Sequence, residues 1–528
     1  MPTSPQELLD RITGRLAPLE RELQQAYWTA ATDARPETTD ARARAEEAWL
    51  AALGDRGLFE EVEAALAAGA APGSPLTARA LAEARRALLA NQIPADLRPE
   101  LVRLQAKVEA AFSTVRGRVG DREVSNNEID DVLARSRDSA ERQAHWEAGK
   151  QVGAVVADDL LALVELRNRV AHGHGYRDWF AFSLATDDLD EQWLDRTLAE
   201  VEQATREPFL AVKAALDQRL SRRFGIRLGE LRPWHYGDLF FQRADGEGEA
   251  DLAPLLGGRD NVELAVATYD GLGLETRHVL ARSDLHPRPG KDQHAFCIDV
   301  DRGGDVRVLA NVTAGEQWLD TMLHELGHAV YDDHVARALP WMLRRPPHAL
   351  STEAVALMFG RLRRDPEFLA GVAGAAPEAV RASAAASQEV LRSGALVFAR
   401  WCLVMVRFEQ ALYADPGQDL PAAWWGLVEE LQGVRRPEGR TQPDWASKIH
   451  LAVSPVYYQS YLLGELMASQ LDHAVRAEAG GFVDRPEAGR FLVERVFAPG
   501  ASLPWMGLIE SATGRPLTAE AFVAGLGT

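Results

Sequence analysis

The chain has 528 residues, of which 46% are hydrophobic and 26% charged, and a formal net charge of −20. That is ordinary globular usage in a chain long enough to bury a large core without disulfides, and the acidity opposes nucleic acid and anionic membranes, which basic patches bind. The two cysteines, Cys297 and Cys402, make no disulfide framework. The N-terminus lacks the basic start and apolar core of a secretory signal, and no stretch approaches the roughly eighteen apolar residues of a membrane span, so a cytoplasmic protein is expected.

Apolar residues at three- and four-residue spacing recur in Leu8 to Leu23, Ala43 to Leu53, Ala78 to Leu89 and Leu160 to Val170. This predicts amphipathic helices packed on a shared core. Residues 1–115, rich in Ala, Arg, Glu and Leu, read as wholly helical. The pattern breaks at Gln293 to Val300 and Asp305 to Val312, two short apolar runs about Asp301-Arg302-Gly303-Gly304, which read as a β-hairpin. Helical periodicity then returns to near the C-terminus, with Pro-containing loops around 340–347 and 436–443. No linker stands out, and residues 1–528 are expected to form one unit of two helical lobes around a small sheet.

Thr313 and Glu316 stand at the spacing of a capping box, which predicts a helix start. The helix would carry His324-Glu325-Leu326-Gly327-His328. Histidines four apart share one helical face, so both imidazoles reach a single ion. Glu325 lies beside them, placed as a general base toward a water at that ion. This is the zinc-peptidase motif. A catalytic zinc needs a third protein ligand and an open position. Glu353, in an otherwise apolar run behind the candidate caps Ser351 and Thr352, is the candidate. A buried carboxylate needs a countercharge, which a cation supplies.

Two histidines, a distant glutamate and helical surroundings resemble the glutamate-type zinc peptidases. The nearest are the angiotensin-converting-enzyme-like family and the related thimet oligopeptidase and oligoendopeptidase F group. The resemblance spans most of the chain beyond about residue 150, including Leu163 to Asn168, Gly175-Tyr176-Arg177 and Pro233 to Gln242. Residues 1–115 carry no matching motif, though such families often have a helical lid there. The resemblance implies a mainly α, two-lobed helical zincin with a small β-sheet beside the His-Glu-x-x-His helix and a deep substrate channel. Its core would be residues 116–528.

The same resemblance assigns further roles. His294 and Ala295, before Phe296, look like the family's substrate-binding edge strand. Lys448 resembles a lysine that grips the substrate's C-terminal carboxylate, and His450 a histidine that contacts the peptide. In the tyrosine segment after it, Tyr461 faces the reacting carbonyl and Tyr458 lies nearer the carboxylate subsite, with Tyr458 the alternative oxyanion donor. The family's aspartate four residues past the glutamate ligand is Leu357 here, so Asp332 or a backbone carbonyl is expected to support the metal histidine. The family's chloride-binding arginine falls at Ser460 or Gln459, and the spacing from His450 to Tyr461 is one residue longer than in the family.

The expected activity is therefore zinc-dependent hydrolysis of short peptides, one Zn2+ per chain, by C-terminal dipeptide release or internal cleavage. A zinc amide hydrolase acting on a non-peptide metabolite and a silent zinc scaffold are the alternatives. Glu325 argues against the scaffold, since a structural site needs no base.

Overall fold

The computed structural model describes residues 4–69, 74–244 and 252–526. Helices dominate, and the strands among the described residues form two antiparallel hairpins. The first helix, Pro5–Thr32, opens with Ser4 and Glu7 bonding each other's backbone amides, and it buries Leu8, Leu9, Ile12 and Leu16 on one face. Four more helices follow to Thr114, as residues 1–115 foretold.

The small hairpin Gly117–Val119 with Arg122–Val124 is absent from the sequence reading. Its signal is the two-residue Gly120-Asp121 turn, with Gly120 at φ +59°. Beyond it run three long helices, Ser139–Gly173, Glu191–Phe224 and Pro377–Ala414, whose apolar faces build the main core. None of the described helices is long and apolar enough to cross a membrane.

The second hairpin pairs Phe296–Asp299 with Val306–Leu309, inside the runs read as strands. One edge of Val306–Leu309 is covered, because Asp284 accepts from Ala310 and donates to Val308, both at 2.9 Å. Among the described residues the strand Phe296–Asp299 pairs with another strand on one side only. The first helix docks on this hairpin through Tyr27, Trp28 and Ala31, which pack with Phe296, Ile298 and Val300. The stretch 340–347 is more ordered than a plain loop: Trp341–Leu343 form a buried 3-10 turn, with Arg302 over the Trp341 ring at 4.2 Å.

The N-terminal helices are also tied to the rest by charge. Glu83, fully buried on helix Pro75–Leu89, is shared by Arg79 at 2.7 Å, Arg345 at 2.9 Å and Arg86. Burial alone would raise its pKa, but Arg86, Arg345 and Arg79 together bring it below the usual 4.5. A carboxyl whose folded pKa is depressed contributes stability that is complete above its unfolded pKa and lost as pH falls through the folded one. Glu83→Gln leaves three part-buried arginines without the carboxylate they share and is expected to cost about 3–5 kcal/mol at pH 7. Denaturant unfolding should show that difference shrinking in acid; a difference constant with pH would rule out the ionic origin.

Candidate active site and metal centre

The helix Glu316–His334 carries the motif, and Leu319, Met322, Leu323, Leu326 and Ala329 are all fully buried. The expected capping box does not form. Gly315, at φ +123°, is the N-cap without a side-chain bond. Glu316 instead pairs with Arg364 at 2.6 Å and Arg363 at 3.2 Å, because charge-assisted bonds outcompete a bond to a neutral amide.

Gly327, inside the motif, meets the helix Ala349–Arg361 closely: a Cβ there would stand 2.9 Å from the Ala356 Cα. This contact brings Glu353 over the histidines. Neither Ser351 nor Thr352 caps that second helix. The cap is His348, whose Nδ1 accepts from the Leu350 amide at 2.9 Å while Nε2 stands 3.1 Å from Asp187. The helix thus starts three or four residues earlier than the sequence suggested, and Thr352 is released for another task.

The Nε2 atoms of His324 and His328 are 3.3 Å apart, and they lie 3.8 and 3.7 Å from the two oxygens of Glu353. Tetrahedral zinc with bonds of about 2.0–2.1 Å separates its ligands by roughly 3.3–3.5 Å. The donor set fits such an ion, and among the described residues it is the one His/Cys/Asp/Glu cluster that does. Burial holds these groups out of their charged forms: His324 falls to about 4 and His328 to about 3, while Glu353 rises to about 7. Two neutral imidazoles and a carboxyl short of a countercharge are what a divalent cation would satisfy.

Glu325 is 8% exposed and is pushed up to about 8, first by burial and then by Glu353. The Cys297 backbone amide, on the strand Phe296–Asp299, holds that rise back. Glu325 thereby sits between the metal cluster and the strand edge that no other strand covers.

The support for His328 differs from expectation. Its Nδ1 faces the Thr352 hydroxyl at 2.7 Å. With Nε2 turned to the cluster, Nδ1 carries the hydrogen and Thr352 accepts it. Asp332 sits instead among Asp299, Arg337 and Arg302, where burial pushes it up to about 8.

The other candidate residues divide into two groups. Tyr458, Tyr461 and His450 come together: ring centroids are 5.4 Å apart for the two tyrosines and 5.1 Å for His450 and Tyr458. Tyr457, not singled out in the sequence, joins them at 4.9 Å from Tyr461. Their helix, Tyr458–Ala479, rests on the metal cluster, since a Cβ on Gly464 would lie 3.6 Å from the Glu353 Cγ. Gly464 follows Tyr461 by three residues, so Tyr461 shares that face. Burial drops His450 to about 4, with help from Lys448, so the ring is neutral near pH 7.

Lys448 is 8% exposed; its ammonium donates to the Gln242 side chain at 3.0 Å and faces Phe240, Trp401 and Tyr458. Burial lowers it to about 8. Among the described residues no carboxylate stands at ion-pair distance from it, and Asp238 acts on it from farther off. His294 stands apart, with its side chain 95% exposed. His294 and Ala295 precede the strand, which starts at Phe296, because Asp292 accepts from the His294 amide at 3.0 Å and bends the chain there.

A mainly helical fold in which His-Glu-x-x-His and a glutamate on a neighbouring helix converge on one ion position defines a zinc metallopeptidase of the helical zincin type. The chain belongs to the peptidase M2 family described as angiotensin-converting enzyme, whose family model matches residues 3–228 and 287–524. The match includes the N-terminal helices, which the sequence reading left without a family likeness. It omits 229–286, so Pro233 to Gln242 gains no support from it. Comparison with curated proteins gave no match. Membership makes the chain a zinc-dependent hydrolase of peptide bonds with one Zn2+.

Proposed function

We propose that the chain is a peptidyl-dipeptidase that removes dipeptides from the C-termini of short peptides. The observation that carries this reading is Lys448, a buried ammonium whose partner among the described residues is a neutral amide. Burying a cation without a counter-ion is unfavourable, and a substrate's terminal carboxylate would complete the pair.

His324, His328 and Glu353 hold the ion. Zinc supplies Lewis acidity, bringing the pKa of a water to about 7. Glu325 takes the proton of the attacking water as the new C–O bond forms. The tetrahedral oxyanion is met by the Tyr461 hydroxyl or by His450. Glu325 then gives its proton to the amine as the C–N bond breaks. The edge of Phe296–Asp299 that no other strand covers lines up the peptide backbone by strand addition, with His294 and Ala295 at its approach and Tyr458 beside the carboxylate subsite. Residues 1–115 act as a lid on the core 116–528. Action in the cytoplasm belongs to the same reading, supported by the unpaired Cys297 and Cys402.

The test is digestion of an oligopeptide library by zinc-loaded enzyme, read by mass spectrometry. C-terminal dipeptides are expected, and internal cuts alone would overturn the dipeptidase assignment. Lys448→Met is expected to raise KM for free peptides by about 30-fold or more, as for loss of a buried charge pair. Peptides with an amidated C-terminus should be insensitive to that change. An equal loss for both would remove Lys448 from the subsite.

A further inference from the structure

The chain between His450 and Tyr461 is gripped from outside the site. It leaves the short helix His450–Val453, passes Ser454 and Pro455, and enters the tyrosine helix through Val456, whose φ is +55°. A β-branched residue in the left-handed region is a genuine outlier, and such strain persists where the surroundings over-determine it.

Here the surroundings are buried groups on two long helices. Glu409 of Pro377–Ala414, 1% exposed, accepts from the Val456 amide at 2.8 Å. Gln459 donates to the Val456 carbonyl from the first turn of the tyrosine helix. Arg167 of Ser139–Gly173 donates to the carbonyls of Leu451, at 2.7 Å, and Ala452, and to the Tyr413 hydroxyl at 3.2 Å. The histidine end is therefore held by Arg167 and the tyrosine end by Glu409. A residue with ordinary φ at 456 would start the tyrosine helix along another direction. Tyr461 would then turn away from the face that Gly464 lays on Glu353.

We propose that Arg167, Glu409 and the left-handed Val456 form a clamp that sets the placement of Tyr461 relative to His450, which makes them positioning residues for the reaction. This rests on the assignment of Tyr461 and His450 to the oxyanion. Burial pushes Glu409 up to about 8. The carboxyl or the carboxylate can accept from the amide of Val456, so a glutamine can replace it.

The experiment compares zinc-loaded, full-length Val456→Gly, Glu409→Leu, Glu409→Gln and Tyr461→Phe for kcat, KM, zinc content and melting temperature. Glycine adopts this φ freely and keeps the amide that Glu409 holds, so Val456→Gly should keep kcat within about threefold and melt within roughly 2–3 °C of wild type. Glu409→Leu removes the acceptor of that amide, and its kcat is expected to fall about tenfold or more, with KM and zinc content little changed, since small misplacements cost up to about 10² in rate. Glu409→Gln should restore it to within about threefold.

Glu409→Leu with wild-type kcat would overturn the clamp, as would kcat losses that simply follow melting temperature, or Glu409→Gln as impaired as Glu409→Leu. Tyr461→Phe separates the two layers. If it keeps full turnover, the oxyanion assignment fails and the clamp has nothing to position. If it loses turnover while Glu409→Leu does not, the clamp alone falls.

Discussion

Glu325→Gln is expected to lower kcat for peptide hydrolysis by about 10³-fold or more while the protein keeps one zinc per chain. Glutamine matches glutamate in size and still offers an oxygen toward the Cys297 backbone that faces the native carboxylate. It has no site that takes a proton from water, and none to return one to the departing amine. General acid–base transfer contributes about 10²–10⁴ to such reactions, and in the proposed mechanism this one side chain serves both halves. The three donor atoms proposed to hold the ion belong to His324, His328 and Glu353, so metal content should not change. Steady-state kinetics and metal analysis on the same samples check it. Zinc lost together with activity would make Glu325 a structural element of the site, and turnover within tenfold of wild type would move the base elsewhere.

What the sequence made legible follows the range of the interactions. Helix periodicity, the face shared by His324 and His328, and the turn at Asp301 to Gly304 are local, and each was readable. Glu353 was found because an acid in an apolar run demands a partner. The cap of the motif helix was misread because its competitor lies far off in sequence, Arg363 standing 47 residues from Glu316, whereas the cap of Ala349–Arg361 was misread because a histidine, His348, takes the place of the usual hydroxyl. The support for His328 was misread for the first of these reasons. Thr352 is 24 residues away on another helix, and a hydroxyl, carboxylate or carbonyl would all serve, so only the packing of the two helices chooses among them. That packing depends on Gly327, whose missing Cβ permits the close approach. The Val456 conformation was hidden altogether, since valine gives no local sign of positive φ.

Glu353→Ala is expected to weaken zinc binding by about 10²–10⁴-fold, corresponding to the roughly 3–5 kcal/mol of an uncompensated buried charge. Glu353 is the only ionisable acid in the donor trio, and without it a doubly charged ion faces two neutral imidazoles in a buried site. Thr352→Val addresses a different quantity, the orientation of His328. Valine keeps the shape but accepts no hydrogen bond from Nδ1, so nothing fixes the tautomer that turns Nε2 to the ion, and loss of such support costs about 10–100-fold in affinity. Thr352→Ser keeps the acceptor and should lie near wild type. Chelator competition should therefore rank the losses as Glu353→Ala, then Thr352→Val, then Thr352→Ser. Val equal to Ser would mean that packing against Ala349–Arg361 alone orients the ring. Val as severe as Ala would mean that the hydroxyl holds the two helices together as well as the imidazole, and unfolding measurements on the metal-free protein would then show the same rank order.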